Sequence, residues 1–259
     1  MTTHLPAALW AEALKFRRSR VPWVTAAVLA LTPLLAGLFV LAARDPQTSG
    51  LVGGKTQLLG VTADWAGFFT LLTQIDAVGG LLALGVVTAW VFGREFSDRM
   101  AVDLLALATP RAAIVTAKFL LIVAWSTVVT ALVPLVALVV GGALGLPGWS
   151  TSLVWETVGH LAVLSGLNTL LVTPVALAAS IGRGYLPAIG LVLIVIALAQ
   201  AMAAIGAGAW FPWSVPALAS GMAGAAGGAI SATSYLLVGL TVLAGAVLTM
   251  TWWRLADQH

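Results

Sequence analysis

The chain has 259 residues, of which 61% are hydrophobic and only 8% charged, with a formal net charge of +3 and no cysteine. Soluble domains carry roughly 25% charged residues, so this chain cannot cover an apolar core with ionisable groups, and an integral membrane protein is implied. The lack of cysteine excludes disulfide frameworks, thiolate metal sites and cysteine nucleophiles, and the small, scattered charge argues against a nucleic-acid partner.

In residues 1–20, Leu9, Trp10, Ala13 and Leu14 fall on one helical face and Glu12, Lys15 and Arg18 on the other, with Pro6 suited to a first turn. This pattern predicts an interfacial helix along the inner leaflet, with Trp10, Glu12, Lys15 and Arg17 at the membrane surface. A crossing needs about 20 mostly apolar residues, and six segments qualify: 21–43, 65–92, 114–145, 153–181, 186–209 and 233–253. Lipid cannot satisfy free backbone groups, so each is expected to be a helix. The first span starts far downstream for a cleaved signal peptide and lacks a small-residue cleavage site, so it is expected to stay in the mature protein.

Between the spans lie a polar outer loop (44–64), an inner loop (93–111), an outer turn (146–152), an inner turn (182–185) and a Gly- and Ala-rich segment (210–232). The last follows Trp210-Phe211-Pro212-Trp213 and reads as an outer re-entrant dip. Gly50 to Thr56 is like a phosphate-binding loop, but Ser49 stands where the first glycine is required. With both termini cytoplasmic, ten of the twelve Lys and Arg residues lie inside and only Arg44 and Lys55 outside. Ten of the eleven tryptophans fall at span ends or in interfacial segments, Trp125 being the exception, and this gives the same topology.

No catalytic or metal centre is expected. His160 lies one turn from Glu156 but has neither a second histidine nor a third ligand. Polar residues within spans are costly and therefore informative. Asp76 falls mid-span beside Gln74, with Thr73 and Gly80 on its face; Glu156, Thr157, His160 and Asn168 share an arc of about 120°; Gln200 sits in the fifth span. Two readings stay open for Gln74, Asp76, Glu156, His160, Asn168 and Gln200: the lining of a translocation path or dimer seam, or a polar core that fixes helix packing.

Three acids (Glu95, Asp98, Asp103) and three arginines (Arg94, Arg99, Arg111) crowd into the first inner loop. Glu95 and Arg99 are spaced for a helical ion pair, and Phe96, Met100, Leu104 and Leu105 add an apolar face. A short amphipathic helix suited to docking on a soluble partner is predicted.

Several segments in order resemble the ABC-2-type transporter permeases, the membrane subunits of bacterial ABC exporters of the bacitracin- and lantibiotic-resistance kind. They are Glu12-Ala-Leu-Lys15, Phe-Gly-Arg-Glu-Phe at 92–96, Asp103-Leu-Leu-Ala, Pro110-Arg111, Ala117-Lys118 and Phe-Pro-Trp-Ser-Val-Pro at 211–216. Met100 departs from the threonine that members often carry. The resemblance implies an all-α integral membrane fold: six transmembrane helices, an N-terminal elbow helix, a cytoplasmic coupling helix, and an outer re-entrant segment between helices five and six. It implies a homodimer of permeases with two separate ABC ATPase subunits, which bind ATP and magnesium while this chain binds no cofactor. By carry-over, Glu95, Phe96, Asp98, Arg99, Asp103 and Leu104 would dock the ATPase and transmit its stroke, exporting a hydrophobic or amphipathic compound across the plasma membrane. A proton-coupled secondary carrier working through Asp76 and His160, and a non-transporting assembly protein, are the alternatives.

Overall fold

A computed structural model describes residues 4–44, 50, 61–97, 109–222 and 228–255, and no strand occurs among them. The helices are α1 (His4–Arg18), α2 (Val21–Arg44), α3 (Trp65–Ser97), α4 (Arg111–Ala143), α5 (Thr151–Leu171), α6 (Thr173–Ile181), α7 (Tyr185–Ala204), α8 (Val215–Ala219) and α9 (Ala232–Leu255). Among the described residues six spans are long and apolar enough to cross a membrane: α2, α3, α4, the α5–α6 pair, α7 and α9.

The central helix is α3. Two-thirds of its apolar window (67%) is buried inside the protein, whereas the other spans bury 22–44%. It packs against α2, α5, α6 and α7. With 33 residues, α3 is about 50 Å long, well beyond a hydrocarbon core of roughly 30 Å. Its last turns therefore carry Arg94 and Glu95 past the lipid.

The fourth span is broken where Pro174 enters it. Proline has no N–H and crowds the preceding turn, so α5 stops at Leu171 and α6 restarts at Thr173. The freed carbonyls find other donors, as a lipid environment demands. The Leu170 carbonyl accepts from the Val172 N–H and from Thr173 Oγ1 at 3.0 Å, and the Leu171 carbonyl accepts from Trp213 Nε1 at 3.2 Å.

Trp213 belongs to a segment of two short 3₁₀ turns (Gly208–Trp210 and Pro212–Ser214) leading into α8. Ser214 Oγ donates to the Ala199 carbonyl at 3.0 Å, and Val215, Pro216 and Ala217 are buried. Leu171 lies about 15 Å along the helix from Ile181, and Ala199 about 21 Å from Tyr185. The segment is thus anchored well inside the bundle.

The packing face of α1 differs from the sequence expectation. Its buried residues are Ala8, Glu12 and Phe16, so the face turned to the bundle centres on a glutamate, while Trp10 is 71% exposed. The cause is a charge partner in α4, described below. The tryptophans at the span ends differ in exposure. Trp10, Trp23, Trp149, Trp155 and Trp210 are exposed, but Trp65 and Trp253 are core residues, and Trp253 Nε1 donates to Ser180 Oγ at 2.9 Å. The stretch that is like a phosphate-binding loop, 98–108 of the inner loop, and 223–227 of the proposed dip lie outside the described residues, apart from Gly50.

Candidate functional site

At one end of the bundle α1, the end of α3 and the start of α4 converge on four charges. Lys118 Nζ lies 3.0 Å from Glu12 Oε2 and 3.1 Å from Glu95 Oε1. Lys15 Nζ lies 2.7 Å from Glu12 Oε1 and 2.9 Å from Glu95 Oε1. Two acids and two bases form a neutral ring. Lys118 is 1% exposed and Glu95 3%, so these are buried charges whose cost only mutual pairing and hydrogen bonding can offset.

Lys118 also donates to the Val91 carbonyl at 2.7 Å. Its ammonium sits 5.7 Å from the Phe92 ring centroid and 5.9 Å from that of Trp253, within cation–π range. Burial pushes the Glu12 carboxyl up, but Lys118 and Lys15 outweigh it and hold the group below its usual value. Burial likewise depresses the Lys15 ammonium, but Glu95 and Glu12 overcome this and raise it. Glu95 Oε2 is buried and accepts no hydrogen bond among the described residues.

An aromatic shell encloses the ring. Phe16 packs edge-on to Trp125, with centroids 5.3 Å apart, and Phe96 does the same to Trp253 at 5.7 Å. Arg94 lies over the Trp90 ring at 4.9 Å. Beside the ring, Gly93 lets the turn between α6 and α7 approach directly. A Cβ at Gly93 would come within 2.6 Å of the Gly184 carbonyl carbon and of the Tyr185 nitrogen. The glycine of Phe-Gly-Arg-Glu-Phe is therefore required by backbone packing.

Of the residues expected to dock an ATPase, Glu95 and Phe96 are directed into the bundle, while Asp98, Arg99, Asp103 and Leu104 lie outside the described residues. Among the surface-helix residues, Trp10 and Arg17 are exposed, Lys15 is half-buried and Glu12 is buried.

The intramembrane polar set divides. Asp76 and Asn168 are buried and line one small cavity with Ser165 and Thr130. Gln74 is half-buried, whereas Glu156, His160 and Gln200 are exposed on this chain, the last donating to Met222 Sδ at 3.9 Å. The α5 arc explains the split. At 100° per residue, Glu156 and His160 fall at its outer edge and Thr157 and Asn168 at its inner edge, so the arc straddles the boundary between surface and core.

Sequence reasoning gave Lys118 no site role, using it as a charge on the inner side and as part of the Ala117-Lys118 segment. The available signal was its position inside the apolar run beginning at 114, where a lysine needs a buried partner.

A family model described as ABC-2 family transporter protein matches residues 8–199. The chain belongs to the ABC-2 transporter family. It is also similar to the bacitracin transport permease protein BCRB of Bacillus licheniformis, at 25% identity over 143 residues, which cover 55% of this chain and 69% of that protein. Membership makes the chain a transport permease subunit rather than an enzyme, and implies an ABC transporter with an ATPase partner. In this permease the matched region holds all four members of the ion ring and both halves of the broken fourth span.

Proposed function

We propose that this permease exports a hydrophobic or amphipathic compound (antibiotic, peptide or lipid-like) across a bacterial plasma membrane, with both termini cytoplasmic. Two copies of the chain pair, and two separate ATPase subunits bind ATP and magnesium and hydrolyse the nucleotide. The similarity to a bacitracin permease supports the cargo class, and the skew of Lys and Arg supports the orientation. Residues 210–232 act as the outer re-entrant element, a reading supported by the bonds of Trp213 and Ser214 to the Leu171 and Ala199 carbonyls.

The observation that carries the reading is the Glu12–Lys15–Glu95–Lys118 ring at the root of the first inner loop. A push on that loop reaches Glu95 first, and Glu95 can move only with α1 and the start of α4. Asp98, Arg99, Asp103 and Leu104 contact the ATPase in this reading, while Glu95 and Phe96 pass the displacement inward.

A tagged permease should bring down an ATPase subunit, and efflux from proteoliposomes holding both should require ATP. Asp98→Lys with Asp103→Lys should release the ATPase. Glu95→Gln should leave it bound but lower transport per ATP hydrolysed. Efflux without ATP would overturn the exporter reading, and an unchanged transport-to-hydrolysis ratio in Glu95→Gln would overturn the role of the ring.

A further inference from the structure

About 17 Å along α3 from Trp65, near the middle of the bilayer, Asp76 faces a cavity with room for about one water molecule. Its wall is made by Leu29 of α2, by Val129, Thr130 and Val133 of α4, by Ser165 and Asn168 of α5, and by Gly80 and Leu84 of α3. None of these residues is titratable or charged. Asp76 has neither an ion pair nor a hydrogen-bond partner among the described residues, although it is only 7% exposed. An ionised carboxylate in such a place is prohibitively costly unless a positive charge accompanies it.

The cavity offers oxygens rather than cationic side chains. Asn168 is fully buried; its Nδ2 donates to the Ala77 carbonyl at 3.3 Å, and its Oδ1 accepts nothing among the described residues. The hydroxyls of Thr130 and Ser165 are hydrogen-bonded to each other, and Thr130 also reaches the Ser126 carbonyl at 2.7 Å. A hydroxyl has one proton and two lone pairs, so both retain acceptor capacity. Gly80 keeps the space open, since a Cβ there would stand 2.9 Å from Asn168 Nδ2 and 3.6 Å from Asp76 Oδ2.

We propose that this cavity binds one dehydrated monovalent cation of about sodium size, held by the Asp76 carboxylate, Asn168 Oδ1 and the hydroxyl oxygens of Ser165 and Thr130. Carboxylate, amide and hydroxyl oxygens are the ligands that hard cations take. A single carboxylate matches a single positive charge, whereas a divalent ion would leave a net charge in the hydrocarbon layer. The site serves to neutralise the one acid at the centre of the bundle, and it stands whether or not the chain exports a drug.

The test uses the full chain in nanodiscs at pH 8, without nucleotide. Equilibrium dialysis with radioactive sodium should show saturable binding of one ion per chain. Sodium, but not choline at equal ionic strength, should raise the melting temperature. Asp76→Asn should abolish both effects, and Gly80→Ala and Ser165→Ala should each raise the half-saturating sodium concentration at least tenfold. If Asp76→Asn does not fold, the wild type and Ser165→Ala decide alone. No saturable sodium binding by the wild type would mean that the carboxyl is protonated, and would overturn the proposal. Unchanged half-saturation in the variants that fold would overturn the assignment to this cavity.

Discussion

Replacing Lys118 by methionine keeps the length of the side chain but removes the charge that Glu12 and Glu95 share at 3.0 and 3.1 Å. Lys15 would then face two acids alone, leaving a net negative charge in a site where Glu95 is 3% exposed. Removing one partner of a buried ion pair costs about 3–5 kcal/mol. In a chain of this size a change of 1 kcal/mol moves the melting temperature by about 2–4 °C, so Lys118→Met should melt roughly 6–20 °C lower. Adding Glu95→Gln restores neutrality, and the pair should show a coupling energy of about 1–3 kcal/mol.

The pH profile of the same proteins carries a second readout. Glu12 is held below its unperturbed value of 4.5, so its stabilisation is present above pH 4.5 and is lost as pH falls through the lowered value. Lys15 is raised above 10.5, so its stabilisation is present below pH 10.5 and is lost as pH rises through the raised value. In Lys118→Met, Glu12 loses its stronger cationic partner, and the acid-side loss should begin at a higher pH. The assay is thermal melting of detergent-purified protein from pH 3 to pH 11. A Lys118→Met melting temperature within 2 °C of wild type, or strictly additive effects in the double variant, would refute the buried-ring argument.

Two further substitutions probe the backbone packing beside and above the ring. Gly93→Ala forces a Cβ to within 2.6 Å of the Gly184–Tyr185 backbone, and backbone cannot rotate aside as a side chain can. We expect a loss of about 1–3 kcal/mol, read as a lower melting temperature with easier protease cleavage in the 182–185 turn. Trp213→Phe keeps the aromatic volume but strips the donor from the Leu171 carbonyl. It should cost about 1–3 kcal/mol and, by hydrogen–deuterium exchange, loosen residues 208–219 more than the α3–α4 region.

The spans were legible in the sequence because hydropathy over about 20 residues is a one-dimensional signal. The break at Pro174 was present in the sequence too, but its consequence depended on Trp213, 39 positions further on. Charge was harder to read. Counting Lys and Arg gives sidedness, but the same count treats Arg17, which is exposed, and Lys118, which is almost wholly enclosed, as equivalent. Helical periodicity misplaced Glu12 for a related reason. A polar residue at helical spacing is assigned to water unless its partner is known, and that partner lies 106 residues away. Asp76 and Asn168 were identified because a mid-span acid is conspicuous by itself, whereas their meeting around Gly80 required the fold.

Three acids mark three levels of one helix. Asp64 caps the start of α3, accepting from the Gly67 N–H at 2.8 Å and from Thr62 Oγ1 at 2.7 Å, bonds that hold its carboxyl below the usual range. Asp76 lies about 18 Å further along and Glu95 about 28 Å beyond that. The neighbouring spans α2 and α4 contain interior prolines, Pro33 and Pro134, which bend or weaken a helix. No proline interrupts α3. In the coupling proposed above, a displacement of the Glu95 end would meet no proline before the level of Asp76, whereas α2 and α4 can bend at Pro33 and Pro134.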